Sequence, residues 1–245
     1  MSPILLLATA VGMASASEQG LRVRDCLECP QMIPVGLRVG ADSKRLLVAK
    51  YELTWAEYLP AVEGAGCPAP RNRSRIPIDW HDRALWDDYP MTSIQPNEIG
   101  CYIRWINAKT GKVYRLPTEA EWTAIAVASG QTPGNRDYLF NGVHNLPVRH
   151  DPRGPVAWRM IRPVSLSSPN ALGINDLLGN AAELVSDYTP SPRRLRPGGK
   201  PIQLVTVKGG YLGTKRGTDL LRSRMIFNAN TVSDTVGFRL VRASD

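Results

Sequence analysis

Hydrophobic positions change period several times along this chain, and each change marks an element. Met32-Ile33-Pro34-Val35 reads as extended, and Leu46 to Thr54 reads as a strand leading into a short helix around Ala56 to Val62. After Pro96, a residue suited to a first helical turn because its missing N–H would have no partner there, Ile99, Ile103 and Ile106 recur at helical spacing until Gly111. Thr118-Glu119-Ala120-Glu121 is a capping box, with the threonine hydroxyl accepting from the backbone at Glu121 and the glutamate reaching back. That helix runs through an apolar interior, Trp122 to Ala128, and Gly130 stops it. Gly64 to Asp88 is rich in Pro, Arg and Asp and predicts loop. Beyond Gly130 come short strands and loops, closing on a strand over Val236 to Val241. Two helices packed on short twisted strands, with long loops and little regular secondary structure, predict an α+β domain.

Composition refines this picture without changing it. In 245 residues, 43% hydrophobic and 21% charged content is that of a packed globular chain and excludes wholesale disorder. Residues 1–16 carry no charged side chain, run apolar from Pro3 to Met13 and close on Ala14-Ser15-Ala16. They read as a cleaved signal peptide, although the usual basic residue is missing. The stretch is too short to span a bilayer, so no membrane span is expected, and the mature protein is placed in the periplasm or outside the cell. With no repeat to divide it, residues 26–243 read as one domain.

Export makes disulfides the expected use of the four cysteines, Cys26, Cys29, Cys67 and Cys101. A zinc site would need a second C-x-x-C or clustered histidines, and His81, His144 and His150 are scattered. Pro30 and an extended segment follow Cys29, not the helix that would activate a redox thiol. We therefore read Cys26–Cys29 as a structural bridge and Cys67–Cys101 as the second pair, out of three pairings that four cysteines allow. The net charge of +8 suits an anionic partner or surface. Its densest run, Arg193-Arg194-Leu195-Arg196 with Lys200, sits among Pro and Gly residues and reads as a solvated loop. No nucleic-acid module is present, and a nucleic-acid partner is not expected.

Three blocks occur in a telling order: Tyr114-Arg115-Leu116-Pro117-Thr118-Glu119-Ala120-Glu121-Trp122, then Gly173-Ile174-Asn175-Asp176-Leu177-Leu178-Gly179-Asn180-Ala181-Ala182-Glu183, then Val236-Gly237-Phe238-Arg239-Leu240. Together they resemble the formylglycine-generating enzyme family, also called sulfatase-modifying factors. The resemblance implies a variant of the C-type lectin fold. It also implies a calcium site on Asp176, Gly179, Ala181 and Glu183, two through side chains and two through backbone carbonyls, with Asn180 bracing the turn. Hard cations want such oxygen sets. The competing reading is an ordinary glycine turn with Glu183 in a salt bridge. A second calcium site of the family is not expected, because Val156 stands where its Asp should be.

The same resemblance locates the chemistry. Oxidation of a substrate cysteine to formylglycine uses two thiolates that bind copper(I). Counting back from Gly237-Phe238-Arg239, their positions hold Arg216 and Leu221, and no cysteine follows Cys101. No copper is expected. The three-histidine iron chemistry of related sulfoxide synthases draws on an extra N-terminal helical domain and is not expected here, and Ser223 lacks the context of a hydrolase nucleophile. The family's groove here holds Lys208, Tyr211, Lys215, Arg216, Arg222, Arg224 and Asn228, suited to a peptide-like or anionic ligand through bidentate guanidinium contacts. In the competing reading, Arg224 and Arg239 are structural, tying the last strands to the acidic turn. Trp55, Trp80, Trp86, Trp105 and Trp122 are assigned to the core. Two functions remain: an exported family enzyme oxidatively modifying a peptide-like substrate without formylglycine chemistry, or a non-catalytic binding module with a structural calcium turn.

Overall fold

The computed structural model describes residues 23–69, 86–130, 161–194, 201–211, 214 and 219–244. The expected signal peptide, the three histidines, Trp80, Lys215 and Arg216 lie outside them. β1 (Met32–Val39) and β2 (Asp42–Ala49) form an antiparallel hairpin that turns at Gly40 with φ 62°. α1 (Trp55–Ala65), α2 (Pro96–Thr110), β3 (Tyr114–Arg115) and α3 (Glu119–Ala128) follow. Then come β4 (Ala182–Arg194), β5 (Pro201–Lys208), β6 (Met225–Asn228), β7 (Val236–Phe238) and β8 (Val241–Ala243). One sheet has the order β1-β2-β8-β3 and the other β6-β5-β4-β7, with β4 and β7 parallel. The α+β architecture read from the sequence stands, with three helices among the described residues.

Alternation along the hairpin feeds two cores, because successive strand residues point to opposite faces. Ile33, Val35, Leu37, Leu46 and Val48 pack under α3 with Trp122 and Ile125. Met32, Leu47 and Ala49 face the larger core of Trp55, Tyr58, Tyr102, Ile106 and Phe238 between α1, α2 and the second sheet. Trp55, Trp86 and Trp122 are buried there as expected, and Trp105 packs against the larger core in part.

Helix limits follow local chemistry. α3 starts at the Thr118–Glu121 capping box, and α2 starts on Pro96 and ends at Gly111, left-handed at φ 67°. α1 has a capping box that the pattern reading overlooked: Thr54 Oγ1 accepts from Glu57 N, and Glu57 accepts back from Thr54 N. It is also longer than expected at both ends. The strand before it stops at Ala49, since Lys50 N donates to Gln31 O and Leu53 N to Phe238 O, turning Tyr51 to Thr54 out of the ladder.

Two further expectations are corrected. Val236 to Val241 is two strands in two sheets, separated at Arg239 and Leu240. The basic run near residue 193 is not wholly loop, since β4 extends through Arg194, which pairs with Pro201. Both disulfides form as assigned: Cys26–Cys29 closes the first turn, and Cys67–Cys101 joins the end of α1 to α2. The first turn is clamped to the sheet by Asp25, which accepts from Arg242 Nη2 at 3.0 Å and from the Tyr114 hydroxyl.

Candidate functional site

Where the chain passes from β7 to β8, Arg239 enters the space between the two sheets with its side chain 1% exposed. Charge in such a place is tolerated only when fully paired. Every N–H of the guanidinium is engaged. Nε and Nη2 donate to Glu183 Oε1 at 2.8 and 2.6 Å, Nη1 donates to the carbonyls of Ala49 and Lys50 at 2.9 Å, and Nη2 also donates to Asn175 O at 2.9 Å. The other oxygen of Glu183 accepts from Trp122 Nε1 at 2.7 Å. The end of β2, the acidic turn, β4 and α3 thus meet at one ion pair.

Glu52, in the segment that the sequence reads as a strand, lies buried beside it. Its oxygens accept from Asn180 Nδ2 and Ala181 N, both at 2.7 Å. Burial, reinforced by the neighbouring Asp176 charge, holds its carboxyl well above the usual range. Burial also raises Asp176, to about 6. Asn180 braces the turn as expected, accepting from Arg162 N at 2.8 Å and donating to Arg162 O and Glu52. The turn is wound tightly, with Asp176 at φ 56° and Asn180 at φ 55°. Gly209 lies against it so closely that a Cβ there would sit 2.9 Å from Leu177 O.

Asp176, Gly179 and Ala181 lie on the turn and Glu183 at the start of β4, but Glu183 has committed both oxygens to Arg239 and Trp122. That donor set does not fit a cation as it stands. Among the described residues no three His, Cys, Asp or Glu side chains are grouped to hold a metal.

The groove residues divide. Arg224 donates from Nε to Glu119 Oε2 at 2.8 Å and from Nη2 to Thr206 Oγ1 at 3.0 Å, with its side chain 39% exposed. Lys208 lies behind it, 3.7 Å from Glu119 Oε1, donating to Leu221 O at 3.1 Å and placed over the Trp122 ring. Burial lowers its pKa, and the Glu119 charge works against that shift. Arg222 is more open, 75% exposed and 3.8 Å from Asp219. Tyr211 is half-buried against the larger core, its N–H donating to Thr214 Oγ1 at 2.9 Å. Asn228 stands apart at the far end of β6, accepting from Asn230 N at 2.9 Å. The structure therefore assembles Arg224, Lys208, Glu119 and Thr206 at the start of α3, and does not place Asn228 with them.

A family model, the sulfatase-modifying factor enzyme 1-like domain, matches residues 41–244. The chain belongs to this family. No curated protein matches significantly. Among solved structures, PvdO from Pseudomonas aeruginosa aligns over 92% of this chain and 98% of its own at a TM-score of 0.65 and 19% identity. CarF aligns over 87% and 97% at 0.61 and 19% identity. Treponema denticola variable protein 1 aligns over 87% and 95% at 0.58 and 14% identity. At these identities the likeness is one of fold.

Leu221 is 4% exposed in the core under α3, and its carbonyl accepts from the Lys208 ammonium. All four cysteines of the chain lie in the two disulfides, so no thiol remains as a soft ligand.

Proposed function

We propose that this chain is an exported sulfatase-modifying-factor-family protein that binds a peptide-like, anionic ligand and does not oxidise cysteine to formylglycine. One observation carries the reading: each cysteine is spent in a disulfide, which leaves no thiolate to hold copper(I). The disulfides support an oxidising compartment. Binding is supported by Arg224, which Glu119 and Thr206 hold in one orientation at a half-open surface with Arg222 two residues away. A guanidinium oriented in advance loses less freedom on meeting a carboxylate or phosphate.

The test uses a short acidic peptide as probe, titrated calorimetrically into the mature protein. Arg224→Ala is expected to weaken binding by about 1.5–3 kcal/mol, the usual worth of a hydrogen bond to a charged group. Equal binding by the variant returns Arg224 to a purely structural role. Thiol titration after denaturation adds a check on compartment: no free thiol is expected in protein taken from the periplasm or medium, and four would contradict export.

A further inference from the structure

A strand with a neighbour on one side only leaves every second backbone N–H and C=O unpaired. β6 is such a strand, at the outer position of the second sheet. Its pairing with β5 is regular: Asn228 lies opposite Leu204, Phe227 opposite Val205, Ile226 opposite Thr206 and Met225 opposite Val207. Ala229 N donates to Gln203 O at 2.8 Å in the same register, so Phe227 and Met225 are the residues that exchange hydrogen bonds with β5. Ile226 therefore turns its N–H and C=O outward. Asn228 does so too, but its carbonyl is closed off by Thr231 N at 2.8 Å. Among the described residues nothing pairs with the outer side of Ile226, and its side chain is 47% exposed.

Charge at the same edge says what it could receive. Arg224 and Ile226, two residues apart, share a face of the sheet. Thr206 bears this out, since it stands opposite Ile226 and its hydroxyl accepts from Arg224 Nη2 at 3.0 Å. With Nε on Glu119, Arg224 keeps Nη1 without an acceptor among the described residues. Arg222, 75% exposed, adds a second positive charge. Natural edge strands are commonly guarded by proline, a bulge or a lysine, and β6 has none of these. Its one guard is a length of 4 residues, which limits pairing to a short segment.

We propose that β6 is a docking edge for an extended peptide, which adds to the sheet as a further strand beside Ile226 and brings a glutamate to Arg224. This deepens the anionic-ligand reading and rests on it. Main-chain bonds to Ile226 supply affinity, and the side chains that meet Ile226 and Arg224 supply selection. Side chains directly opposite one another in neighbouring strands share a face, so the peptide residue facing Ile226 is apolar and the one facing Arg224 is acidic. In the antiparallel orientation, the more stable per residue, the peptide reads apolar-x-Glu from its N-terminus. A ligand held by charge alone has no such spacing.

The probe is a capped, fluorescently labelled Thr-Thr-Val-Thr-Glu-Thr-Thr peptide, titrated with mature protein and followed by anisotropy. Methylating the valine nitrogen, which faces Ile226 O, is expected to weaken binding about tenfold, the loss of one net hydrogen bond. Methylating the next threonine nitrogen, which faces away from β6, is expected to change binding by less than about twofold. Ile226→Pro removes the outward N–H without touching the β5 ladder, an orientation in which edge strands accept proline, and is expected to weaken the probe as the first methylation does. Equal effects of the two methylations overturn the strand mode, even where Ile226→Pro fails to fold. If Arg224→Ala still weakens the probe in that case, the anionic-ligand reading survives. No binding of the unmethylated probe also overturns the strand mode, and the broader reading falls with it only if acidic peptides of other patterns fail too. A dimer in solution that Ile226→Pro dissociates assigns the edge to a second copy of this chain and overturns the peptide.

Discussion

Two arginine–glutamate pairs in this protein look alike on paper and behave differently. Arg239–Glu183 is sealed between the sheets with every guanidinium donor engaged, three of them by backbone carbonyls or shared with one. Arg224–Glu119 sits at the start of α3, partly in solvent, with two donors engaged. The first pair organises the fold and has nothing left for a ligand. The second is fixed enough to be oriented and open enough to be reached. In a family whose scaffold serves many ends, the half-satisfied surface pair is where function is to be sought.

Breaking the buried pair should give the largest effect. Arg239→Met leaves Glu183 buried without its counter-charge and frees three carbonyls, so a loss of about 3–5 kcal/mol is expected in denaturant melts. A variant within 1 kcal/mol of wild type would show that β7 and β8 dock without the guanidinium.

A second, intermediate effect lies at α1. Burial raises the Glu57 carboxyl from 4.5 to about 7, against hydrogen bonds from Thr54 that lower it. Between those values the native state keeps the proton and the unfolded chain releases it, so this group lowers stability as pH rises from 4.5 to about 7, by at most about 3 kcal/mol, and not further above that. Glu57→Gln keeps a capping-box side chain and should flatten that part of the profile, melting higher than wild type at pH 8. An unchanged pH profile would show that Glu57 titrates normally.

Much of this contrast was legible in the residues and some was not. The Thr118 capping box, Pro96, Gly111 and the cysteine pairing are local or nearly so, and local chemistry sets them. Asp176, Gly179, Asn180 and Glu183 were found as a turn because the three blocks mark it. The choice between calcium ligand and salt bridge for Glu183 was not legible, since it depends on Arg239, 56 residues away. Glu52 was read as part of a strand. Its role appears only when the fold sets it against Asn180 and Ala181, 128 and 129 residues on. In Val236 to Val241 the one available signal was Arg239 itself: a charge inside an apolar run marks the place where the chain leaves one sheet for the other.

The smallest stability effect is expected at the open pair. Arg224→Ala should cost below about 1 kcal/mol, as exposed ion pairs generally do, while still weakening the acidic peptide. A loss as large as that of Arg239→Met would erase the distinction between the two sites and make Arg224 part of the framework.

The proposed function has this scaffold working without a thiolate pair. The direct measurement is mass spectrometry of a Cys-x-Pro-x-Arg peptide incubated under oxygen with copper-loaded mature protein, beside a control without protein. With Cys26, Cys29, Cys67 and Cys101 all in disulfides, the peptide is expected to return unchanged. Aldehyde formed above the control would overturn the proposed function and mean that copper is held by ligands other than thiolates.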